Sequence, residues 1–275
     1  MSLYVIITLR VVSGGVLASV LLAVPAAAPA AASPGPGIRG LDVSSAQHLR
    51  NATINWRALK KAHYRFAAIK VSEGTYYVNP YFHSDVAGAT AAGLAVLPYV
   101  FANPHDSGGA AQADYAVAQI GYRPPGRALP LVIDLEKDPY KRTDHVNACY
   151  GLSRKHMVSW IAAFAARARA RTHRNPLIYT SRRWWHSCTG DSRAFRSNPL
   201  WIAEYGTASP DPPPAWSRWT IWQYTSNARV QGVTNSGGID LDYAPLSLTS
   251  LLRPVSRRHH RQHRAHKVSR RLLQT

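Results

Sequence analysis

From Gly37 onward, short apolar runs alternate with stretches whose apolar positions recur at helical spacing. Residues 38–43 predict a first strand, and residues 55–63 a helix with Trp56, Leu59 and Ala62 on one face. A second strand over 66–71 leads to a helix from about 80 to 93, with proline near its start and glycine past its end. Residues 94–101 predict the third strand, 110–120 a helix, 131–136 the fourth strand and 152–171 the longest helix. Segments 177–180, 200–205, 220–224 and 238–243 complete eight strands, the last three without clear helices between them. No repeat of fixed period is visible, and no second core-sized segment follows. The pattern predicts an α/β fold: a single modified TIM-like parallel barrel, regular in its strand–helix alternation at first, with few or no helices among its last strands.

Candidate chemistry collects on the fourth strand, Leu131-Val132-Ile133-Asp134-Leu135-Glu136. Side chains alternate faces along a strand, so Asp134 and Glu136 point one way while Ile133 and Leu135 pack on the other. Two carboxyl groups held close cannot both ionise freely, and the raised pKa of one suits general acid catalysis near neutral pH. A strand end whose acids merely reach water or an arginine remains the alternative for such a pair taken alone. In a barrel of this kind the active site lies at the carboxyl ends of the strands. Asp42 ends the first strand there, and Asp240 with Asp242 the last, so five carboxylates are expected at one cleft. Tyr99, Phe101, Tyr179, Trp201, Tyr205, Trp222 and Tyr224 fall at similar strand ends. Aromatic faces beside carboxylates suit a sugar ring, whose C–H face stacks on apolar surface while its hydroxyls need polar partners.

Composition bounds the setting. The chain of 275 residues is 46% hydrophobic, enough for a sizeable core. Arg10 precedes an apolar stretch over 11–24 and a small-residue tract ending in Ala30-Ala31-Ala32 before Ser33, which predicts a secretory signal peptide over 1–32. The stretch is shorter than the roughly 20 residues of a membrane span, although an uncleaved anchor stays open. The protein is therefore expected to be secreted, extracellular or cell-wall associated. In an oxidising compartment its two cysteines, Cys149 and Cys188, favour a disulfide over a metal site. Net charge is +19, and eight of the 33 Lys and Arg crowd a basic tail over 253–275, read as disordered. Without those eight and Arg10, 24 Lys and Arg still face 14 acids. A polyanionic partner follows: anionic wall polymers or lipid head groups, with a merely solvated tail equally open. Nucleic acid is not expected, since no recognition motif is present.

The motifs Gly40-Leu41-Asp42-Val43-Ser44, Ile54-Asn55-Trp56, Phe66-Ala67-Ala68-Ile69-Lys70-Val71-Ser72-Glu73-Gly74, Asp134-Leu135-Glu136, Ile178-Tyr179-Thr180, Leu200-Trp201-Ile202-Ala203-Glu204-Tyr205, Trp222-Gln223-Tyr224 and Gly238-Ile239-Asp240-Leu241-Asp242 run in one order along the chain. Together they resemble the glycoside hydrolase family 25 muramidases over nearly everything from Gly37 to about Leu251, so that the catalytic barrel is assigned to residues 33–252. The resemblance implies a monomeric enzyme without metal or organic cofactor that acts on peptidoglycan glycan strands, at the β-1,4 bond between N-acetylmuramic acid and N-acetylglucosamine, with retention. It implies Glu136 as general acid, supported by Asp134, Asp42 and Asp240, and leaves Tyr99, Phe101, Tyr179, Trp201, Tyr205, Trp222, Tyr224 and Asp242 for substrate binding. Attack by the sugar's own 2-acetamido group and attack by an Asp both stay open. Two positions depart from the family pattern: Val100 stands where histidine is common, and Asp242 where asparagine is common. A catalytically weak wall-binding protein and a cationic membrane-active protein are the competing functions.

Overall fold

A computed structural model describes residues 36–121, 130–140, 143–234, 237–245 and 248. The predicted signal peptide and the basic tail lie outside them. Among the described residues nine strands form one sheet: β1 (Ile38–Val43), β2 (Tyr64–Glu73), β3 (Tyr77–Val78), β4 (Ala95–Phe101), β5 (Val132–Leu135), β6 (Leu177–Thr180), β7 (Leu200–Ala203), β8 (Ile221–Ala228) and β9 (Ile239–Ala244). The order is β1-β9-β8-β7-β6-β5-β4-β2-β3, and a further β1–β2 pairing closes eight of them into a barrel, leaving β3 as a short hairpin arm on β2. The α-helices among the described residues are α1 (Trp56–Lys61), α2 (Phe82–Ala91), α3 (Gly109–Ile120), α4 (Arg154–Thr172) and α5 (Arg182–Thr189).

The alternation of side chains sorts residues into two packed layers. Phe66, Ala68, Leu97, Val132, Leu177 and Ile221 fill the barrel interior. Ala67, Ile69, Val100, Ile133, Ile178 and Ile202 face outward, in one cluster with Leu59, Phe82, Phe164 and Trp185 from the helices. Gly40 makes room at the centre: a Cβ there would meet the Phe66 ring at 2.3 Å, so only glycine lets that ring fill the space beside β1.

Local signals set the helix ends. Asn55, Ser153 and Ser181 each accept a backbone N–H from the first turn of α1, α4 and α5. Gly190 stops α5 in the left-handed conformation, at φ 66°. The Cys149–Cys188 disulfide ties the loop before α4 to α5, with Cα atoms 5.4 Å apart.

Three expectations need correction. The barrel is mixed rather than parallel, because β9 runs antiparallel to both β1 and β8. Ala62 is exposed beyond the last turn of α1, while Trp56 and Leu59 carry its buried face. Helix α5 was not anticipated between β6 and β7.

Candidate active site

The site grows from the ends of seven strands. Asp134 lies within β5 and Glu136 one residue beyond its end; both face the mouth, while Ile133 and Leu135 pack outward. Antiparallel pairing of β1 with β9 sets Asp42 opposite Asp240, and the two carboxyl groups hydrogen-bond. A cavity of about 100 Å³ lies between these acids, lined by Asp42, Tyr99, Phe101, Asp134, Glu136, Tyr179, Trp201, Gln223 and Asp240. Gln223 organises one wall. Its Nε2 donates to Asp42 Oδ2 at 2.8 Å, and its Oε1 accepts from Tyr179 Oη at 2.9 Å and from the Tyr205 hydroxyl. The Tyr179 and Trp201 rings meet edge to face, 4.8 Å between centroids. Trp201 Nε1 donates to Asp242 Oδ1 at 2.9 Å, below the mouth.

Crowded and largely buried acids hold protons longer than they would in water. Burial pushes Glu136 up to about 6; the charges of Asp240 and Glu73 add to this, and Lys137 and Lys70 oppose it. Asp240 is also pushed up to about 6 by burial, against the hydrogen bond with Asp42. Asp42, Asp134 and Asp242 are raised well above the usual carboxylate range, by burial first and then by their acidic neighbours. The cluster therefore keeps shared protons near neutral pH. Glu73 behaves oppositely: burial works to raise it, but hydrogen bonds and charge from Lys70, with Tyr140 and Tyr76 donating as well, leave it lowered. Lys70 Nζ sits 2.6 Å from Glu73 Oε2 and 4.7 Å from the centroid of the Phe101 ring, so this cation borders the cleft.

Residues 41–233 match the family model described as glycosyl hydrolases family 25. The chain belongs to that family. Among its relatives, Lysozyme M1 of Streptomyces globisporus is 40% identical over 74% of this chain and 66% of its own length. The N,O-diacetylmuramidase of Chalaropsis sp is 42% identical over 74% of this chain and 96% of its own. The bacterial lysozyme of Streptomyces coelicolor has a crystal structure that superposes with a TM-score of 0.71 at 39% identity, covering 79% of this chain and 96% of that one. The protein is thus a glycoside hydrolase. Asp42, Asp134 and Glu136 fall inside the matched span of the family model, whereas Asp240 lies beyond its end.

Within this family-25 barrel, Glu136, Asp134, Asp42 and Asp240 meet at one cavity with Tyr99, Phe101, Tyr179 and Trp201. Tyr205 stands at the rim, 49% exposed. Three of the residues expected to bind substrate do not reach it. Trp222 and Tyr224 point outward from β8 into the helix-facing cluster, because Ile221 and Gln223 take the inward positions. Trp222 Nε1 donates to the Glu204 carbonyl at 2.7 Å instead. Asp242 is fully buried one layer down: an antiparallel β9 begins at the mouth, so Asp240 is at the rim and Asp242 two residues deeper. Sequence reading missed Gln223, although the alternation that excludes its aromatic neighbours selects it. It also gave no role to Lys70, Glu73, Tyr76 and Tyr140, which form a hydrogen-bonded group beside the cavity.

Proposed function

We propose that the protein is a secreted muramidase which cleaves the β-1,4 bond between N-acetylmuramic acid and N-acetylglucosamine in peptidoglycan, with retention of configuration. The observation that carries this reading is the pairing of a partly open Glu136, held protonated up to about pH 6, with Asp134 on the same strand face. Glu136 donates its proton to the glycosidic oxygen as the bond breaks. The 2-acetamido oxygen of the same sugar attacks the anomeric carbon, giving a cyclic cation. Asp134 accepts the acetamido N–H and stabilises that cation, whose charge favours the ionised carboxylate. Glu136, now a carboxylate, takes a proton from the water that opens the ring. Asp42 and Asp240 hold a shared proton across the cavity and keep the far wall polar.

The cavity has room for the group that the acetamido route requires beside Asp134 and Glu136. About 100 Å³ is well below the roughly 300 Å³ at which pockets begin to enclose whole small ligands, so it encloses a group the size of N-acetyl while the pyranose ring lies at its opening. Names of the relatives agree with the substrate class: one is called a lysozyme and another an N,O-diacetylmuramidase. Export rests on the apolar N-terminal pattern, and attachment to anionic wall polymers or lipid head groups on the basic tail.

The test is release of reducing ends from purified peptidoglycan by the wild type and by Glu136→Gln. Loss of the acid is expected to lower kcat by about 10²–10⁴-fold, the usual contribution of a positioned proton donor. Wall binding without release by the wild type would replace the enzyme reading with a binding one. Truncation after Leu252 addresses the tail: killing that vanishes while hydrolysis persists would assign lethality to the basic segment.

A further inference from the structure

The β2 side of the mouth carries a second polar and aromatic group that the reaction above does not use. Glu73 ends β2, and strand register runs from Glu73 through Phe101 to Asp134. Glu73 therefore stands two strand spacings from Asp134, roughly 10 Å. Its Oε2 accepts from Lys70, and its Oε1 accepts from both Tyr76 Oη and Tyr140 Oη, each at 2.5 Å. Tyr76 belongs to the turn joining β2 to β3, and Tyr140 to the loop after β5. Asn103 Nδ2 donates to the Tyr76 hydroxyl at 3.3 Å.

An exposed tyrosine ordinarily turns its hydroxyl to water and lets its ring move. Here two rings from separate loops are tied by their hydroxyls to one carboxylate oxygen, yet Tyr76 stays 52% and Tyr140 42% exposed. Their polar ends are held by protein while about half of each residue stays open to solvent. Lys70 and the two hydroxyls keep Glu73 ionised, which maintains the pins. Tyr205 repeats the design across the cleft: its hydroxyl is spent on Gln223, and it follows β7, four strands from β2 in either direction around the closed barrel. Fixed aromatic faces on opposite sides of a cavity too small for a whole sugar outline a groove longer than the cavity.

We propose that the pinned faces of Tyr76 and Tyr140 form a sugar-stacking subsite next to the cleavage point, which takes a further N-acetylated pyranose of the glycan strand. The proposal rests on the muramidase reading and deepens it. Apolar ring faces stack on such side chains, and prior fixing of the rings removes the ordering cost from binding.

The test compares kcat/KM on short and long purified peptidoglycan glycan fragments for the wild type, Tyr76→Ala/Tyr140→Ala and Tyr76→Phe/Tyr140→Phe. The long-to-short ratio is expected to fall about tenfold in the alanine pair and only about threefold in the phenylalanine pair, which keeps the rings but loses their pins. An unchanged ratio in the alanine pair, or an equal fall in both pairs, would overturn the subsite. Should the alanine pair fail to fold, Tyr76→Ala alone carries the test, with a fall of about threefold expected. If the wild type cuts neither fragment, the muramidase reading fails separately. Fragment binding to the same three proteins then decides the subsite: length-dependent affinity lost in the alanine pair supports it, and affinity independent of length refutes it.

Discussion

Replacing Asp242 with asparagine separates the charge of the deepest acid from its shape. Asp242 is fully buried; its Oδ1 accepts from Trp201 and its Oδ2 has no hydrogen-bond partner. Asparagine keeps the Oδ1 acceptor and the volume but cannot ionise. Burial, reinforced by Asp240, raises the Asp242 pKa well above 3.8 in the folded protein. The native state therefore holds this proton where the unfolded chain has lost it, and stability falls as pH rises from about 3.8 toward the native pKa. One proton of difference corresponds to a slope of about 1.4 kcal/mol per pH unit. For a domain of this size that is about 3–6 °C in Tm per pH unit. Thermal unfolding followed by circular dichroism from pH 4 upward should show the variant gaining on the wild type by up to that amount per unit until the native pKa is passed, with the smallest difference at pH 4. Parallel curves would refute the reasoning, since they would mean that Asp242 titrates in the folded protein as it does in the unfolded chain.

Two further outcomes follow from the same geometry. Because Glu136 must be protonated to act as the acid and is raised to about 6, kcat/KM should decline above pH 6, by about tenfold per unit once well past it; a profile flat to pH 8 would remove Glu136 from that role. Opening the Cys149–Cys188 link, which spans a sequence separation of 39, by Cys149→Ser/Cys188→Ser should cost about 2–4 kcal/mol in denaturant unfolding, and an unchanged midpoint would show that the loop before α4 is held without it.

The regular part of the fold was legible because its two periods are strong. Strand runs such as 66–71 alternate faces, and α4 carries Met157, Trp160, Ile161 and Phe164 on one buried stripe. The convergence of Asp42, Asp134 and Glu136 followed from the barrel rule for strand ends. What failed was direction and facing near the end of the chain. Strand β8 continues to Ala228, so only ten residues separate it from β9, too few for the crossover that a parallel neighbour requires. That shortness was present in the sequence but hidden by an underestimated β8, and it misplaced Asp242. On β8, the habit of turning aromatics toward a sugar chose Trp222 and Tyr224, whereas the barrel interior takes Gln223 for its hydrogen bonds to Asp42, Tyr179 and Tyr205. Helix α5 had legible stops at Ser181 and Gly190, yet it is short and its apolar face rests on Trp184, Trp185 and Cys188. The Glu73 group was illegible for a different reason: Tyr76 and Tyr140 come from separate loops, and only the closed barrel brings both to one carboxylate.

The central claim is that Glu136 and Asp134 act together on a glycosidic bond of peptidoglycan. Mass analysis of the fragments left after digestion of purified peptidoglycan tests it most directly. The account predicts disaccharide units with N-acetylmuramic acid at the reducing end, formed about 10²–10⁴-fold more slowly by Glu136→Gln. Fragments ending in N-acetylglucosamine, or cuts confined to the peptide stems, would contradict it.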